Sequence, residues 1–281
     1  MSNLKPNFLV IGAPKCATTA LSMHLRRHPE IFVSHPKETF FFCYDEVYSK
    51  GWDWYLSLFK DVDSERAIGE ATTLYSSIRA FPQALPRIVK HFPDAKIIYM
   101  VRHPMQRIQS NYVEFLSQGL TQLNFKEAVH EIPHFIDASC YHRQLEAYRK
   151  HYPKERINVI FYRDYKKNPE KVLQECFEFL DVDPTFVVDN PSEKIYQSKG
   201  KRRDLPITNL IRRKMPGFLT IRNVMPNWTR TIVQKALKRE IKAKPNWDRE
   251  TREWVISQIQ SDIESFLHTQ GKPVGYWDLN Q

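Results

Sequence analysis

Apolar residues in this chain come in short blocks separated by polar, turn-forming stretches, and the spacing within each block separates strands from helices. Phe8-Leu9-Val10-Ile11 is an unbroken apolar run closed by Gly12, the pattern of a buried parallel strand. From Thr18 onward Leu21 and Leu25 fall four apart, which predicts a helix. Ile97-Ile98-Tyr99-Met100-Val101 is the clearest strand. The stretch from Pro104 to Leu116 follows as a helix, with Pro104 at its first position and Ile108, Tyr112, Phe115 and Leu116 on one face. A third unit joins the strand Ile157-Asn158-Val159-Ile160-Phe161 to a helix capped by Asn168 and opened by Pro169. On it Val172, Leu173, Cys176, Phe177 and Leu180 share a face. Near the end, Asp248 can cap a helix carrying Val255, Ile259, Ile263, Phe266 and Leu267, with Gly271 just past its stop. Strand, loop and helix repeated in that order predict an α/β fold: a central, mostly parallel sheet flanked by helices, with ligands at the carboxyl ends of the strands.

Composition narrows this picture. At 281 residues, 42% apolar and 26% charged, the chain is long enough for a real core and is read as a single domain over 1–281. It contains no run of 18 apolar residues to span a bilayer, and its start lacks the pattern of a signal peptide. Cys16, Cys43, Cys140 and Cys176 are spaced for neither a zinc site nor a disulfide scaffold, so free thiols and a cytoplasmic setting are expected. The net charge of +10 is concentrated. Between Lys199 and Lys244 stand fourteen Lys and Arg and only two acids, Asp204 and Glu240, so the remainder is close to neutral.

The sharpest motif lies between the first strand and the first helix: Gly12-Ala13-Pro14-Lys15-Cys16-Ala17-Thr18-Thr19. A tight loop running into a helix N-terminus binds phosphate, because free N–H groups and the positive helix end point at the anion. Lys15 adds a full charge, and Thr18 and Thr19 add hydroxyls. Read alone, the same residues also suit an ordinary strand-to-helix turn. The order differs from a Walker A loop, which needs Gly-Lys-Ser/Thr in succession, so an NTPase using Mg²⁺ is disfavoured.

Lys15-Cys16-Ala17-Thr18-Thr19 resembles the 5′-phosphosulfate loop of sulfotransferases, enzymes that use 3′-phosphoadenosine 5′-phosphosulfate (PAPS) and release 3′-phosphoadenosine 5′-phosphate (PAP). Arg102-His103-Pro104, Arg107 and Ser110 resemble the same family's 3′-phosphate segment, Arg-x-Pro-x-x-Arg-x-x-Ser after a strand. Ser198-Lys199-Gly200-Lys201-Arg202-Arg203 resembles the late loop that closes over the nucleotide in carbohydrate-type members. The resemblance runs from about Phe8 to Trp277 and implies a P-loop-like nucleotide-binding architecture. It implies cofactor contacts from Lys15, Cys16, Ala17, Thr18, Thr19, Arg102, Ser110, Lys199, Gly200 and Lys201, with no metal. Two positions depart from the pattern. Cys16 stands where many members carry a hydroxyl residue. Ala17 stands where many carry glycine, and is expected to need a loop conformation without positive φ.

His35-Pro36-Lys37-Glu38-Thr39-Phe40-Phe41-Phe42 resembles the Lys-Glu-x-x-Phe-Phe segment of heparan-type and bacterial sulfotransferases, in which the glutamate is the catalytic base. An acceptor hydroxyl is a poor nucleophile, and positioned proton removal is worth about 10²–10⁴ in rate. Beside three phenylalanines, Glu38 is expected to be partly desolvated and its pKa raised. His35 is the reserve base or a substrate contact, since cytosolic sulfotransferases use histidine. Glu70, in Gly69-Glu70-Ala71-Thr72-Thr73-Leu74-Tyr75, resembles a family segment lining the acceptor cleft, where it would contact substrate or orient the base. Trp52 and Trp54 read as core before ligand contacts.

The expected reaction moves a sulfuryl group from PAPS to a hydroxyl on a carbohydrate, glycolipid or small metabolite. Glu38 is the base and Lys15 stabilises the leaving phosphate. The segment 199–244, where charges interleave with Ile211, Met215, Phe218 and Trp228, has three readings: a guide for an anionic glycan, contact with a membrane surface or lipid, or a solvated helical face. Without a helix-turn-helix or finger pattern, no nucleic-acid partner is expected. The rival readings are a nucleotide-dependent kinase, which would need Mg²⁺, and a basic membrane or nucleic-acid binding module.

Overall fold

The computed structural model describes residues 6–191, 245–273 and 275–280, together with the backbone of 202–204 and 238–240. Five parallel strands form the central sheet: β1 (Phe8–Gly12), β2 (Ile31–Val33), β3 (Ala67–Glu70), β4 (Lys96–Val101) and β5 (Ile157–Phe161), in the order β2-β3-β1-β4-β5. Every residue of β1 is buried, as its unbroken apolar run requires of a central strand. β1 pairs with β3 through Phe8↔Gly69 and Leu9↔Glu70, and with β4 through Leu9↔Ile97 and Val10↔Ile98. After β1 the chain builds one side of the sheet with β2 and β3, then crosses to the other side for β4 and β5. The crevice between the carboxyl ends of β1 and β4 is therefore the switch point, where open parallel sheets bind ligands.

Helices cover the sheet: α1 (Thr18–Leu25), α2 (Asp45–Tyr48), α3 (Trp52–Ser57), α4 (Ala84–His91), α5 (Pro104–Gln118), α6 (Phe125–Glu131), α7 (His134–Asp137), α8 (Tyr141–Arg149), α9 (Tyr162–Lys167), α10 (Pro169–Phe179) and α11 (Arg249–Thr269). The expected starts hold. Asn168 Oδ1 accepts from the N–H of Lys171, and Asp248 Oδ1 from that of Thr251. Gly119, at φ 71°, stops α5, and Gly271 follows α11 at φ 63°. A short antiparallel pair, β6 (Arg202–Asp204) with β7 (Lys238–Glu240), lies apart from the main sheet, and β6 runs beside α5. All four cysteines are buried and free. Among the described residues no helix is long and apolar enough to cross a membrane.

One aromatic cluster matters for the site. Phe41 packs on Tyr55 at 4.7 Å, and Phe42 meets Phe92 edge-on at 5.8 Å. Trp52 stacks on Tyr55 and on His91, so it is core, as read from the sequence. These contacts pin the segment that carries Glu38 to the sheet.

Candidate active site

Gly12 ends β1 at φ 152°, and a Cβ there would lie 2.1 Å from Ser76 Oγ and 2.9 Å from the Thr73 carbonyl oxygen. Only glycine lets the loop pass so close to the 3₁₀ turn Thr73–Ser76. The loop then turns through Lys15 at φ 68° and Ala17 at φ 69°. The expectation for Ala17 is thus corrected: it takes the left-handed conformation, at a cost of about 1 kcal/mol for a residue with a Cβ. That turn sets the entry into α1, which no side chain caps. Ala17, Thr18, Thr19 and Ala20 line a cavity of about 760 Å³, so the helix's uncommitted first-turn donors form part of its wall.

Cys16 does not face this cavity. It is fully buried, its N–H donates to the Ala13 carbonyl, and burial pushes its thiol up to about 11. A packed, protonated thiol replaces the hydroxyl contact that the motif suggested.

Six separate stretches of the chain meet at the cavity, among them the loop after β1, the segment after β2, the turn Thr73–Ser76 and the end of β4 with α5. From the loop, Lys15 Nζ pairs with Glu114 Oε2 at 2.5 Å. From the segment after β2, Lys37 Nζ bridges Thr18 Oγ1 at 3.3 Å and Glu38 Oε1 at 3.0 Å. Thr73 Oγ1 donates to the same Glu38 oxygen at 3.2 Å, while Oε2 carries no hydrogen bond among the described residues. From the end of β4, the Arg102 guanidinium lies over the Tyr162 ring at 4.9 Å. Its Nη1 is 3.5 Å from Ser110 Oγ, and the Tyr141 hydroxyl holds the Arg102 carbonyl at 2.7 Å. Ser110 and Asn111 then project from α5 into the wall. Arg107 instead braces α5 from inside the core, donating to Ser139 Oγ at 2.7 Å and to the Phe135 carbonyl.

The phenylalanines do not bury Glu38. Phe41 and Phe42 turn into the core, Phe40 alone lines the cavity, and the Glu38 side chain keeps 30% of its exposure. Burial falls on Glu70, which is fully enclosed and outside the cavity lining. Its Oε1 accepts from Tyr55 and Tyr75 at 2.8 Å each, and its Oε2 from Thr39 and Thr72 at 2.7 Å each. Desolvation raises its pKa against the pull of those four hydroxyls. The substrate contact expected of Glu70 is therefore corrected: a carboxylate closed off by its own partners supports the site from behind. Thr72 Oγ1, which it holds, accepts the N–H groups of Thr39 and Phe40 and so fixes the residues after Glu38. His35 is corrected too, since it is exposed and outside the cavity lining. Lys199, Gly200 and Lys201 lie outside the described residues.

Sequence reasoning assigned no role to Lys37, Thr73, Asn111, Glu114 or Tyr162. Asn111 and Glu114 were within reach, because positions 110, 111, 114, 115 and 118 share a helical stripe with Ser110. Tyr162 follows β5 and gave no sequence signal. The donor set suits a nucleotide with phosphate at both ends: cations stand at the loop and at Arg102. Asn111 Nδ2, buried and without a partner among the described residues, adds an orphaned donor that an anion would satisfy.

Comparison with known proteins agrees. Residues 5–218 match the family described as Sulfotransferase domain. A crystal structure of a sulfotransferase from Alicyclobacillus acidocaldarius superposes with a TM-score of 0.71 at 23% identity, over 98% of this chain and 99% of that one, which supports the fold. A membrane-associated sulfotransferase, kil1, of Dictyostelium discoideum is 30% identical over 52% of this chain and 32% of its own length. Human heparan sulfate glucosamine 3-O-sulfotransferase 6 is 34% identical over 40% of this chain and 31% of its own. The chain thus spans about a third of the length of these curated relatives. With three quarters of its residues inside one family match and a parallel α/β sheet around the cavity, the chain belongs to the sulfotransferase-domain family.

Proposed function

We propose that the chain transfers a sulfuryl group to an acceptor hydroxyl, with Glu38 as the base and Lys15 as the electrostatic catalyst. One observation carries the reading: Lys15, Glu38, Arg102 and Ser110, from separate parts of the sequence, line one cavity at the switch point of the sheet. Arg102 and Ser110 grip the 3′-phosphate, with Asn111 beside them. Lys15, Thr18, Thr19 and the first turn of α1 hold the 5′ end. When bound, PAPS supplies a sulfuryl group whose bond to the 5′-phosphate oxygen is exchanged for one to the acceptor oxygen. Glu38 takes the acceptor's proton at Oε2, since Lys37 and Thr73 occupy Oε1. Lys15 exchanges Glu114 for the leaving phosphate and neutralises the charge that builds there.

Lys199, Gly200 and Lys201, outside the described residues, belong to the same proposal as cofactor contacts. The single-domain reading and a cytoplasmic setting, with 199–244 at a membrane surface, stand with it. The membrane-associated relative supports the surface contact, and cosedimentation of the chain with anionic vesicles tests it. For the chemistry, the test is Glu38→Gln assayed with labelled PAPS. Turnover should fall about 10²–10⁴-fold while calorimetry still records PAP binding. Retention of more than about a third of wild-type turnover would remove Glu38 as the base.

A further inference from the structure

Among the described residues Arg107 is the largest side chain that solvent does not reach. Its Nε donates to Ser139 Oγ at 2.7 Å and its Nη2 to the Phe135 carbonyl, while Nη1, also buried, has no hydrogen-bond partner. No carboxylate among the described residues pairs with it. A buried guanidinium left with two neutral acceptors and one idle nitrogen is costly, and that cost calls for a use of the charge.

The ionisable groups around Arg107 do not supply the missing negative charge. Burial pushes the thiols of Cys16 and Cys140 up to about 11 and lifts the phenols of Tyr99 and Tyr141 well above their ordinary value, so all four face Arg107 protonated. His134, pushed down to about 4 by burial and by Arg107 itself, is neutral too. The acids of the surrounding helices are occupied: Asp137 by Arg79 and Arg143, Asp262 by the N–H groups of His142 and Arg143, and Glu114 by Lys15.

Placement gives the charge a direction. Arg107, Ser110 and Asn111 stand three and four apart on α5 and are all buried, so they share its inner face. Asn111 Nδ2 lacks a partner in the same way as Arg107 Nη1. Ser110 Oγ lies 3.5 Å from Arg102 Nη1. The charge is also felt at the loop, where burial raises the Cys16 thiol and Arg107, ahead of Arg102, draws it back down.

Resting on the transferase reading above, we infer that the 3′-phosphate of the nucleotide is the counter-ion of Arg107. The guanidinium attracts it from the core side of α5, without touching it, and sets the preference for a nucleotide phosphorylated at the 3′ position. The charge is fixed before the ligand arrives, and the low dielectric around it leaves it little screened. Arg107 is therefore a positioning residue, and Arg102 and Ser110 remain the contacts.

PAP and adenosine 5′-phosphate (AMP) differ only by the 3′-phosphate, so calorimetry with both on the full chain isolates this contribution. At an effective dielectric of about 20 and a separation of about 10 Å, one unit charge facing a dianion changes affinity by more than about tenfold. Arg107→Gln should therefore weaken PAP about tenfold or more and AMP by less than about threefold. Ser139→Asp tests the same charge with the guanidinium in place, by setting a carboxylate where the serine hydroxyl accepts from Nε. It too should weaken PAP about tenfold and leave AMP within about threefold. A role in packing alone would weaken both ligands together in Arg107→Gln and would leave PAP as tight as AMP allows in Ser139→Asp. The inference is overturned if the ratio of PAP to AMP affinity stays within about twofold of wild type in either variant that folds. Wild type separates the failures. PAP held more tightly than AMP by wild type, with that ratio unchanged in the variants, removes the role of Arg107 alone. Wild type that binds no PAP, or holds it no better than AMP, removes the reading of the site as well.

Discussion

Glu38 and Glu70 are both carboxylates in segments that resemble family motifs, yet folding gives them opposite circumstances. Glu38 faces the cavity with a lysine beside it; Glu70 is sealed among four hydroxyls, with no ion pair among the described residues. The raised pKa of Glu70 means that folding takes up protons there. Its contribution to stability is full below the ordinary carboxylate range and declines as pH rises through the raised native value. Glu70→Gln removes that slope, so the variant should gain on wild type as pH rises from the ordinary carboxylate range upward, measured by urea unfolding across that range. Glu70→Ala should cost about 3 kcal/mol or more, because buried hydroxyls lose their acceptor. A Glu70→Gln difference from wild type that stays flat with pH would contradict the account. Residue types and their order made Lys15, Glu38, Arg102 and Ser110 legible from the sequence. Side-chain direction was not legible: the text around His35, Glu38 and Glu70 does not reveal which one the fold turns toward the cavity. Cys16 failed for the same reason.

Among the elements, those with strong local signals were read correctly. β1, β4 and β5 are unbroken apolar runs, and α10 and α11 carry their own caps. Helices stabilised from outside were missed. The first N–H groups of α8, at His142 and Arg143, donate to Asp262 of α11 at 2.9 Å each, so the cap lies about 120 residues away and no local pattern announces it. β2, with three residues, is too short to show a period. The tightest junction of elements is Gly12 against the turn Thr73–Ser76. In Gly12→Ala the Ser76 hydroxyl can rotate away, but the Thr73 carbonyl cannot. A loss of about 3 kcal/mol in chemical denaturation is expected, with weaker turnover because the displaced turn carries the Thr73 partner of Glu38. Wild-type stability in this variant would show that the loop and the turn are not in contact.

Across the whole molecule, the topology brings the site together. Lys15 and Arg102 are far apart in sequence, but β1 and β4 are adjacent and parallel, so the loops that follow them open on the same edge. That these loops open on one edge was predictable from the repeated strand–helix order. The strand order and the apolar wall of the cavity were not, because Phe40 and Tyr44, Phe81, and Leu120 come from three separate connections. On the proposed transfer, with Lys15 and Arg102 rather than a metal at the phosphates, turnover should persist in EDTA. Loss of turnover restored by Mg²⁺ would return the kinase alternative.

The central claim is that one nucleotide lies between the loop of Lys15 and the guanidinium of Arg102. Calorimetric titration of PAP into wild type and Arg102→Ala tests it most directly. Charge-assisted hydrogen bonds to phosphate are worth about 1.5–3 kcal/mol, so affinity should fall roughly 10- to 100-fold in the variant while its unfolding midpoint stays near that of wild type. Equal affinity in the two proteins would place the nucleotide elsewhere and contradict the account.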